Sequence, residues 1–419
     1  MPSWPAPVAT GPIMAVVALP GSKSLTNRAL ILAALSETPT RISAPLLARD
    51  TELMAAALQA LGVQIIADGT GWLVIPGSLH GAAVDCGLAG TVMRFVPPLA
   101  ALAVGDSRFD GDAQATGRPM APLLDALRAA GAVIDGNRLP FSVYGHGGLT
   151  GGRIEFDAGG SSQFLSALLL AGSRFDQGAD LCLVGGSVPS LPHVEMTAAA
   201  VRQAGGVIET VSERRWLVAP GKLDLPDQVI EPDLSNAAPF LAAALVTGGE
   251  VTVPHWPSET DQPGALLVEL LARMGATVSL GPDGLTVTGT GRIAGLDVDL
   301  HEASELTPVL AALCALADGP SRIRGVAHIR GHETDRLAAL RTELAATGCG
   351  VTETEDGLAI SPASLHPVLW HAYADHRMAQ AGALLGLAVA GLQVDDIACT
   401  SKTLTEFPLL WQEMLGQPG

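Results

Sequence analysis

Three lysines occur in 419 residues, Lys23, Lys222 and Lys402, and two of them stand among hydroxyls in short polar strings. Lys23 lies in LPGSKSLTNRA and Lys402 in CTSKTLTEF. Ser and Thr cap helix starts and present hydroxyls to an anion, so both lysines are expected at helix N-termini. Arg28, Arg94, Arg118, Arg336 and Arg377 occupy the first turns or the approaches of further expected helices. Cations normally complement the C-terminal end of a helix, so placing them repeatedly at the N-terminal end is unfavourable unless something negative binds there. Free N–H groups, the positive end of the helix dipole and an added Lys or Arg together make a site for phosphate or carboxylate. One such Arg alone reads as a solvated surface charge; five or six do not. Lys23 adds proton chemistry, because an ammonium exchanges a proton where a guanidinium does not.

The elements that carry these residues repeat. A small polar start, an Ala/Leu-rich helix, a Gly turn, a β-type stretch, a second helix and a strand recur with a period of about 70 residues. The first helices begin near Ser24, Thr91, Ser161, Ser235, Glu305 and Asp375. The second helices, among them LMAAALQALGVQII and LLVELLARMGATV, place Leu at helical spacing and end on Gly before a Val or Ile strand, the pattern of a Gly C-cap. The sixth, around EFPLLWQEMLG, stops before its strand, and the N-terminal segment near Val16 is expected to complete the circle. The length favours two domains, here 20–230 and 231–419 with 1–19. An α/β solenoid is the plain alternative, but a solenoid needs only caps at its helix starts, whereas these carry Lys, Arg, His and paired carboxylates.

The formal charge of −18 removes the basic excess that nucleic-acid binding requires. Cys86, Cys182, Cys314, Cys349 and Cys399 are odd in number and lack CxxC spacing, so reduced thiols in a cytoplasmic protein are expected instead of disulfides or zinc. No secretory signal or uninterrupted apolar span of membrane length is evident. GSKS is not a P-loop, because Ser22 separates Gly21 from Lys23, and HETD at 332–335 lacks the second His of a zinc motif. Neither metal nor cofactor is expected.

LPGSKSLTNRALILAAL, LAGTVMRF, GRPMAPLLDAL, SSQFLSALL, HETDRL, DHRMA and TSKT occur in the order found in 5-enolpyruvylshikimate-3-phosphate synthases, and the resemblance spans essentially the whole chain. It implies an α/β fold of two similar globular domains, each of three βαβαββ repeats (an inside-out α/β barrel), with the active site in the inter-domain cleft. It implies phosphoenolpyruvate and shikimate 3-phosphate as substrates, sensitivity to glyphosate and a monomer. By resemblance, Lys23, Ser24, Arg28, Ser161, Ser162, Gln163, Ser190, His193, Glu305 and His332 serve shikimate 3-phosphate. Lys23, Gly90, Arg118, Gln163, Arg336, Arg377 and Lys402 serve phosphoenolpyruvate. The reaction adds a hydroxyl to the enol carbon and then eliminates phosphate, and each half needs proton transfer. Glu305 is assigned the hydroxyl proton and Glu333 the methylene carbon, as two carboxylates on opposite sides of the cleft, with Lys23 able to share either duty. Taken alone, Glu333 reads as a capping carboxylate and Gly90 as a helix-entry glycine.

The chain departs from the commonest family pattern at Glu305 (usually Asp), His332 (usually Lys) and His193 (often Tyr). The change at His332 replaces a permanent cation with one that titrates near neutrality. The related UDP-N-acetylglucosamine enolpyruvyl transferase carries a loop cysteine where this chain has Ala113, and Asn where it has Ser24, which disfavours that activity.

Overall fold

Ala, Leu and Val dominate the first helix of every repeat, and small apolar side chains on all faces suit a helix packed on every side. The computed structural model describes residues 3–185 and 190–416. The chain divides into two compact units, Gly21–Ile230 and Met1–Pro20 with Glu231–Gly419. The first unit holds helices α1 (Lys23–Leu35), α2 (Arg49–Ala60), α3 (Gly90–Leu102), α4 (Ala121–Ala129), α5 (Ser162–Gly172) and α6 (Leu191–Gln203). The second holds α7 (Leu234–Thr247), α8 (Leu267–Arg273), α9 (Thr307–Ala315), α10 (Arg336–Ala346), α11 (His376–Gly386) and α12 (Phe407–Met414). In each unit the three first helices touch one another, α1 with α3 and α5, and α7 with α9 and α11. They form the centre of one hydrophobic core per unit. Repeats that close on a shared centre are not a solenoid, in which each repeat meets only its neighbours.

The sheets lie outside these helices. In the second repeat Ala83–Asp85 runs parallel to Val104–Asp110, which pairs antiparallel with Phe141–His146, itself antiparallel to Val133–Asp135. A helical crossover must join parallel strands, and a tight turn suffices for the antiparallel pair. Alternation along Val104–Asp110 buries Ser107 and Phe109 and exposes Asp106, Arg108 and Asp110, as a strand with one solvated face requires. Gly closes every second helix with positive φ, from 66° at Gly416 to 106° at Gly62 and Gly275. The N–H of Val63 reaches back to Leu58 O at 3.0 Å, the long bond of a Schellman cap.

The N-terminal segment departs from expectation. Met14–Val16 is the first strand of the fourth repeat, parallel to Glu250–Val253. The sixth repeat is completed by Trp4–Pro5, antiparallel to Gln393–Val394. The first repeat likewise takes its opening strand from Gln228–Val229, parallel to Thr40–Ser43. Each unit is closed by strands from the far ends of its own stretches of chain, which a reading of adjacent residues does not reveal.

Candidate active site

Helix caps place most of the candidate residues. Ser22 accepts from the N–H of Leu25 at the start of α1, Ser161 from Gln163 at α5, Asp335 from Ala338 at α10 and Asp375 from Arg377 at α11. Two positions differ from the sequence reading. Lys402 ends a 3-10 turn, Ile397–Lys402, and α12 starts only at Phe407, because Pro408 suits the first turn of a helix and fixes its start there. Glu305 lies on a kinked 3-10 approach, His301–Leu306, ahead of α9.

In the Gly21–Ile230 unit, Lys23 opens α1 and its Nζ lies 3.4 Å from Asp50 Oδ2, a carboxylate only 2% exposed. Asp50 escaped the sequence reading, since an acid in the first turn of a helix is the ordinary complement of its dipole. Arg28 is buried over the Phe95 ring and donates to Thr197 Oγ1 (2.7 Å), Ser24 O (3.0 Å) and His193 O (3.2 Å). Among the described residues no carboxylate reaches it, and burial pulls its guanidinium down to about 9. A buried cation without a counter-charge is costly, so the position is chemically suited to an anion. Thr197, which also bonds Ser166 Oγ at 3.0 Å, is a second residue that the motifs did not point to.

Ser190, before α6, adopts left-handed backbone with φ 55°, and its Oγ lies 2.6 Å from His193 Nδ1. A residue with a β-carbon enters that region at a cost, commonly near a functional site. Gly90, Arg94, Arg118 and Gln163 gather at the start of α3. Arg94 Nη1 donates to Gln163 Oε1 (3.1 Å), and Arg118 Nη1 donates to Leu88 O (3.0 Å). A β-carbon on Gly90 would lie 2.7 Å from Arg94 Nη1 and 2.9 Å from Arg118 Nη2. The glycine is therefore more than a helix entry; its missing side chain leaves room for two guanidinium groups. Ser162 and Gln163 form the first turn of the helix that Ser161 caps.

In the other unit cations and carboxylates alternate. Lys402 Nζ donates to Glu333 Oε1, and Arg336 Nη2 donates to Glu333 Oε2 at 3.1 Å. Arg336 Nη1 donates to Glu305 Oε2 at 3.0 Å, and Arg377 Nε lies 3.6 Å from the same oxygen. Asp375, fully buried, receives Arg336 Nε at 2.8 Å and Nη2 at 3.2 Å. Glu305 and Glu333 thus do not face each other from opposite sides; both rest on one guanidinium, on different nitrogens. Burial would raise the Glu305 carboxyl, but Arg336, His332 and Arg377 outweigh it and hold the group well below the usual carboxylate range. Burial would lower Arg336, yet Asp375, Glu305 and Glu333 keep it well above its ordinary value.

Pro239 accounts for the anchoring of Arg377. It lies inside α7 and has no N–H for the carbonyl four residues back, which is Ser235 O. Arg377 Nη1 donates to that oxygen at 2.6 Å. His332 Nδ1 lies 3.1 Å from Arg336 Nη1, which can only donate, and 3.6 Å from Glu305 Oε1. The same ring nitrogen therefore faces a donor when neutral and a carboxylate when protonated. Behind it, His328 bonds Ser304 Oγ at 2.8 Å, and burial followed by the neighbouring His332 and His301 pushes it down to about 4, so it is neutral near pH 7.

One set of residues thus offers guanidinium and ammonium groups at helix starts, and the other offers carboxylates beside buried cations, with Glu305 held ionised. The first suits anions and the second suits proton transfer.

The chain matches the family described as EPSP synthase (3-phosphoshikimate 1-carboxyvinyltransferase) over residues 8–411. It is 55% identical to a 3-phosphoshikimate 1-carboxyvinyltransferase of Kocuria rhizophila, over 99% of this chain and 97% of that one. Its fold is that of an EPSP synthase structure from Acinetobacter baumannii, with TM-score 0.79 at 24% identity over 98% of this chain and 97% of that one. It is also that of the enolpyruvyl transferase NikO from Streptomyces tendae, with TM-score 0.73 at 18% identity over 97% and 96% of the two chains. With full-length similarity to a curated relative and a family match that covers the strings carrying Lys23, Glu333 and Arg336, the chain belongs to the EPSP synthase family.

Proposed function

We propose that the protein transfers the enolpyruvyl group of phosphoenolpyruvate to the 5-hydroxyl of shikimate 3-phosphate and releases phosphate, a step of aromatic amino-acid biosynthesis. Family membership supports the activity, and the observation that carries the mechanism is the pair of carboxylates, Glu305 and Glu333, on one buried guanidinium. In the addition half, the 5-oxygen bonds to the enol carbon, its proton passes to Glu305, and the methylene carbon gains a proton from the Glu333–Lys402 pair. In the elimination half, that carbon returns a proton to Glu333, the carbon–oxygen bond to phosphate breaks, and its electron pair leaves with the phosphate. Arg336 and Arg377 bind phosphoenolpyruvate, and sharing them with the substrate relaxes their hold on Glu305 and makes it a stronger base. Lys23, Arg118 and Lys402 stabilise the leaving phosphate electrostatically. Arg28, Ser24, Ser161, Ser162, Gln163, Ser190, His193 and His332 hold shikimate 3-phosphate, and Gly90 and Gln163 contribute to phosphoenolpyruvate binding.

Phosphate release decides the reading. Release that requires both phosphoenolpyruvate and shikimate 3-phosphate supports it, and binding of both without turnover overturns it. The protein is read as a cytoplasmic monomer that needs no metal; among the described residues no helix is long and apolar enough to cross a membrane.

Two variants test the assignments. Gly90→Ala forces the Arg94 and Arg118 guanidiniums to shift, since contacts below 3.0 Å are not tolerated. Glyphosate inhibition is expected to weaken more than phosphoenolpyruvate binding, and an inhibition constant equal to wild type would sink the placement. For His332, the Michaelis constant for shikimate 3-phosphate is expected to rise with pH as the imidazole loses its charge. In His332→Lys it is expected to stay flat; equal slopes in both proteins would reject a charge-dependent role.

A further inference from the structure

Glu343 is a buried carboxylate, 2% exposed, that the mechanism does not use. No Lys or Arg among the described residues reaches it. All its side-chain partners lie in one short loop. The N–H of His371 donates to Oε2 at 3.1 Å, His371 Nδ1 lies 3.2 Å from Oε1, and the Tyr373 hydroxyl donates to Oε1 at 2.6 Å. A buried carboxylate is expensive unless hydrogen bonds compensate it, and here they come wholly from residues 371 and 373.

The loop is unusual in its own right. Tyr373 and Ala374 take φ of 55° and 54°, so two consecutive residues with a β-carbon sit in left-handed backbone. Such residues stay there only when the surroundings hold them. The next residues are Asp375, which caps α11 and grips Arg336, and His376 and Arg377. Asp395 Oδ1 fixes the N–H of Ala372 at 2.8 Å, and Asp375 N–H closes on Ala372 O at 2.9 Å. Arg336 and Glu343 are seven residues apart on α10, two turns, and so lie on one face. The helix is therefore tied to the segment twice, at Asp375 beyond the left-handed pair and at His371 and Tyr373 before and within it.

We propose that Glu343 is a positioning residue: its bonds to His371 and Tyr373 hold the left-handed turn that aims Asp375 and Arg377, and so set the affinity for phosphoenolpyruvate. The proposal rests on reading Arg336 and Arg377 as the phosphoenolpyruvate-binding arginines. The Tyr373 hydroxyl is pushed up to about 12 by burial and then by Glu343, so it remains a donor across the working pH range.

The test is steady-state kinetics of Tyr373→Phe, Glu343→Ala and Glu343→Ala combined with Ala374→Gly. The first two are expected to raise the Michaelis constant for phosphoenolpyruvate by about tenfold, the scale of one lost hydrogen bond to a charged group. Affinity for shikimate 3-phosphate alone and kcat should change by less than about threefold, well under that loss. Glycine adopts left-handed backbone without steric cost, so Ala374→Gly should recover most of what Glu343→Ala loses. A merely structural carboxylate would not be rescued by a change of backbone preference in another segment. An unchanged Michaelis constant in Tyr373→Phe, equal losses in both substrates, or failure of the rescue overturns the proposal. If Glu343→Ala does not fold, Tyr373→Phe, which removes one oxygen from a residue 40% exposed, carries the test. If the wild type releases no phosphate, the proposed activity fails and the latch is read from amide hydrogen exchange across residues 371–377. Faster exchange in Tyr373→Phe then supports the latch, and unchanged exchange overturns it.

Discussion

Arg336→Met is expected to abolish measurable turnover and to destabilise the protein by about 3–5 kcal/mol, the cost of breaking a buried ion pair from one side. Arg336 is 1% exposed and is paired with three carboxylates, of which Asp375 is fully buried and Glu333 nearly so. Methionine fills comparable space but leaves those charges in place. The loss should appear as a lower thermal midpoint, and its source can be separated from the chemistry with Arg336→Met/Asp375→Asn. Removing the buried charge should return part of the stability without returning turnover, because Glu305 and Glu333 still lack their common partner. A single variant with the thermal midpoint of the wild type would show that the carboxylates are not balanced by this guanidinium.

The same network has a pH signature. Glu305 is depressed in the folded protein, so it contributes stability above its unfolded value, near 4.5, and that contribution fades as pH falls from there toward the folded value. In Arg336→Met burial is opposed only by His332 and Arg377, the depression shrinks, and the acid-side loss belonging to Glu305 should flatten. A titration of the thermal midpoint between pH 3 and 7, a range of about four units around the carboxylate values, reads both slopes.

The second large effect is on Lys23. Lys23→Met is expected to lower kcat by about 10²–10³-fold, the usual consequence of removing one preorganised electrostatic stabiliser. Asp50 loses its cation in the same variant, so a modest fall in stability accompanies the kinetic loss. Lys23→Arg separates the two duties of the ammonium, since guanidinium holds charge but does not exchange a proton. If Lys23 only holds charge beside Asp50, Lys23→Arg should retain more kcat than Lys23→Met. Equal losses in the two variants would make Lys23 a proton carrier instead.

What was readable in the residues was short-ranged. Helix starts near Ser24, Ser161 and Asp375, glycine ends such as Gly62 and Gly275, and Ala/Leu-rich first helices depend on groups within about one to two turns of each other. Their periodicity is therefore printed in the chain, and with it the six repeats and the run of cations at Lys23, Arg28, Arg118, Arg336 and Arg377. Even so, Lys402 shows the limit of local signals: the hydroxyls around it suggested a helix start, while Pro408 set the start farther on.

The partners of those cations were decided by the fold. Lys23 and Asp50 are 27 residues apart, Glu333 and Lys402 are 69, and Arg28 and Thr197 are 169. No local pattern marks such pairs, because a carboxylate in a first turn serves its own helix dipole equally well in any protein. The closing strands Trp4–Pro5 and Gln228–Val229 escaped, and the strand expected near Val16 joined the fourth repeat instead of the sixth, for the same reason: a strand's partner is chosen by register and burial far along the chain. The sequence by itself determined which residues could bind anions and move protons. Only the tertiary structure decided that Glu305 and Glu333 share Arg336, that Arg28 meets no carboxylate among the described residues, and that Glu343 grips the turn leading to Arg377, because charge, burial and backbone strain acquire their partners only when distant segments pack.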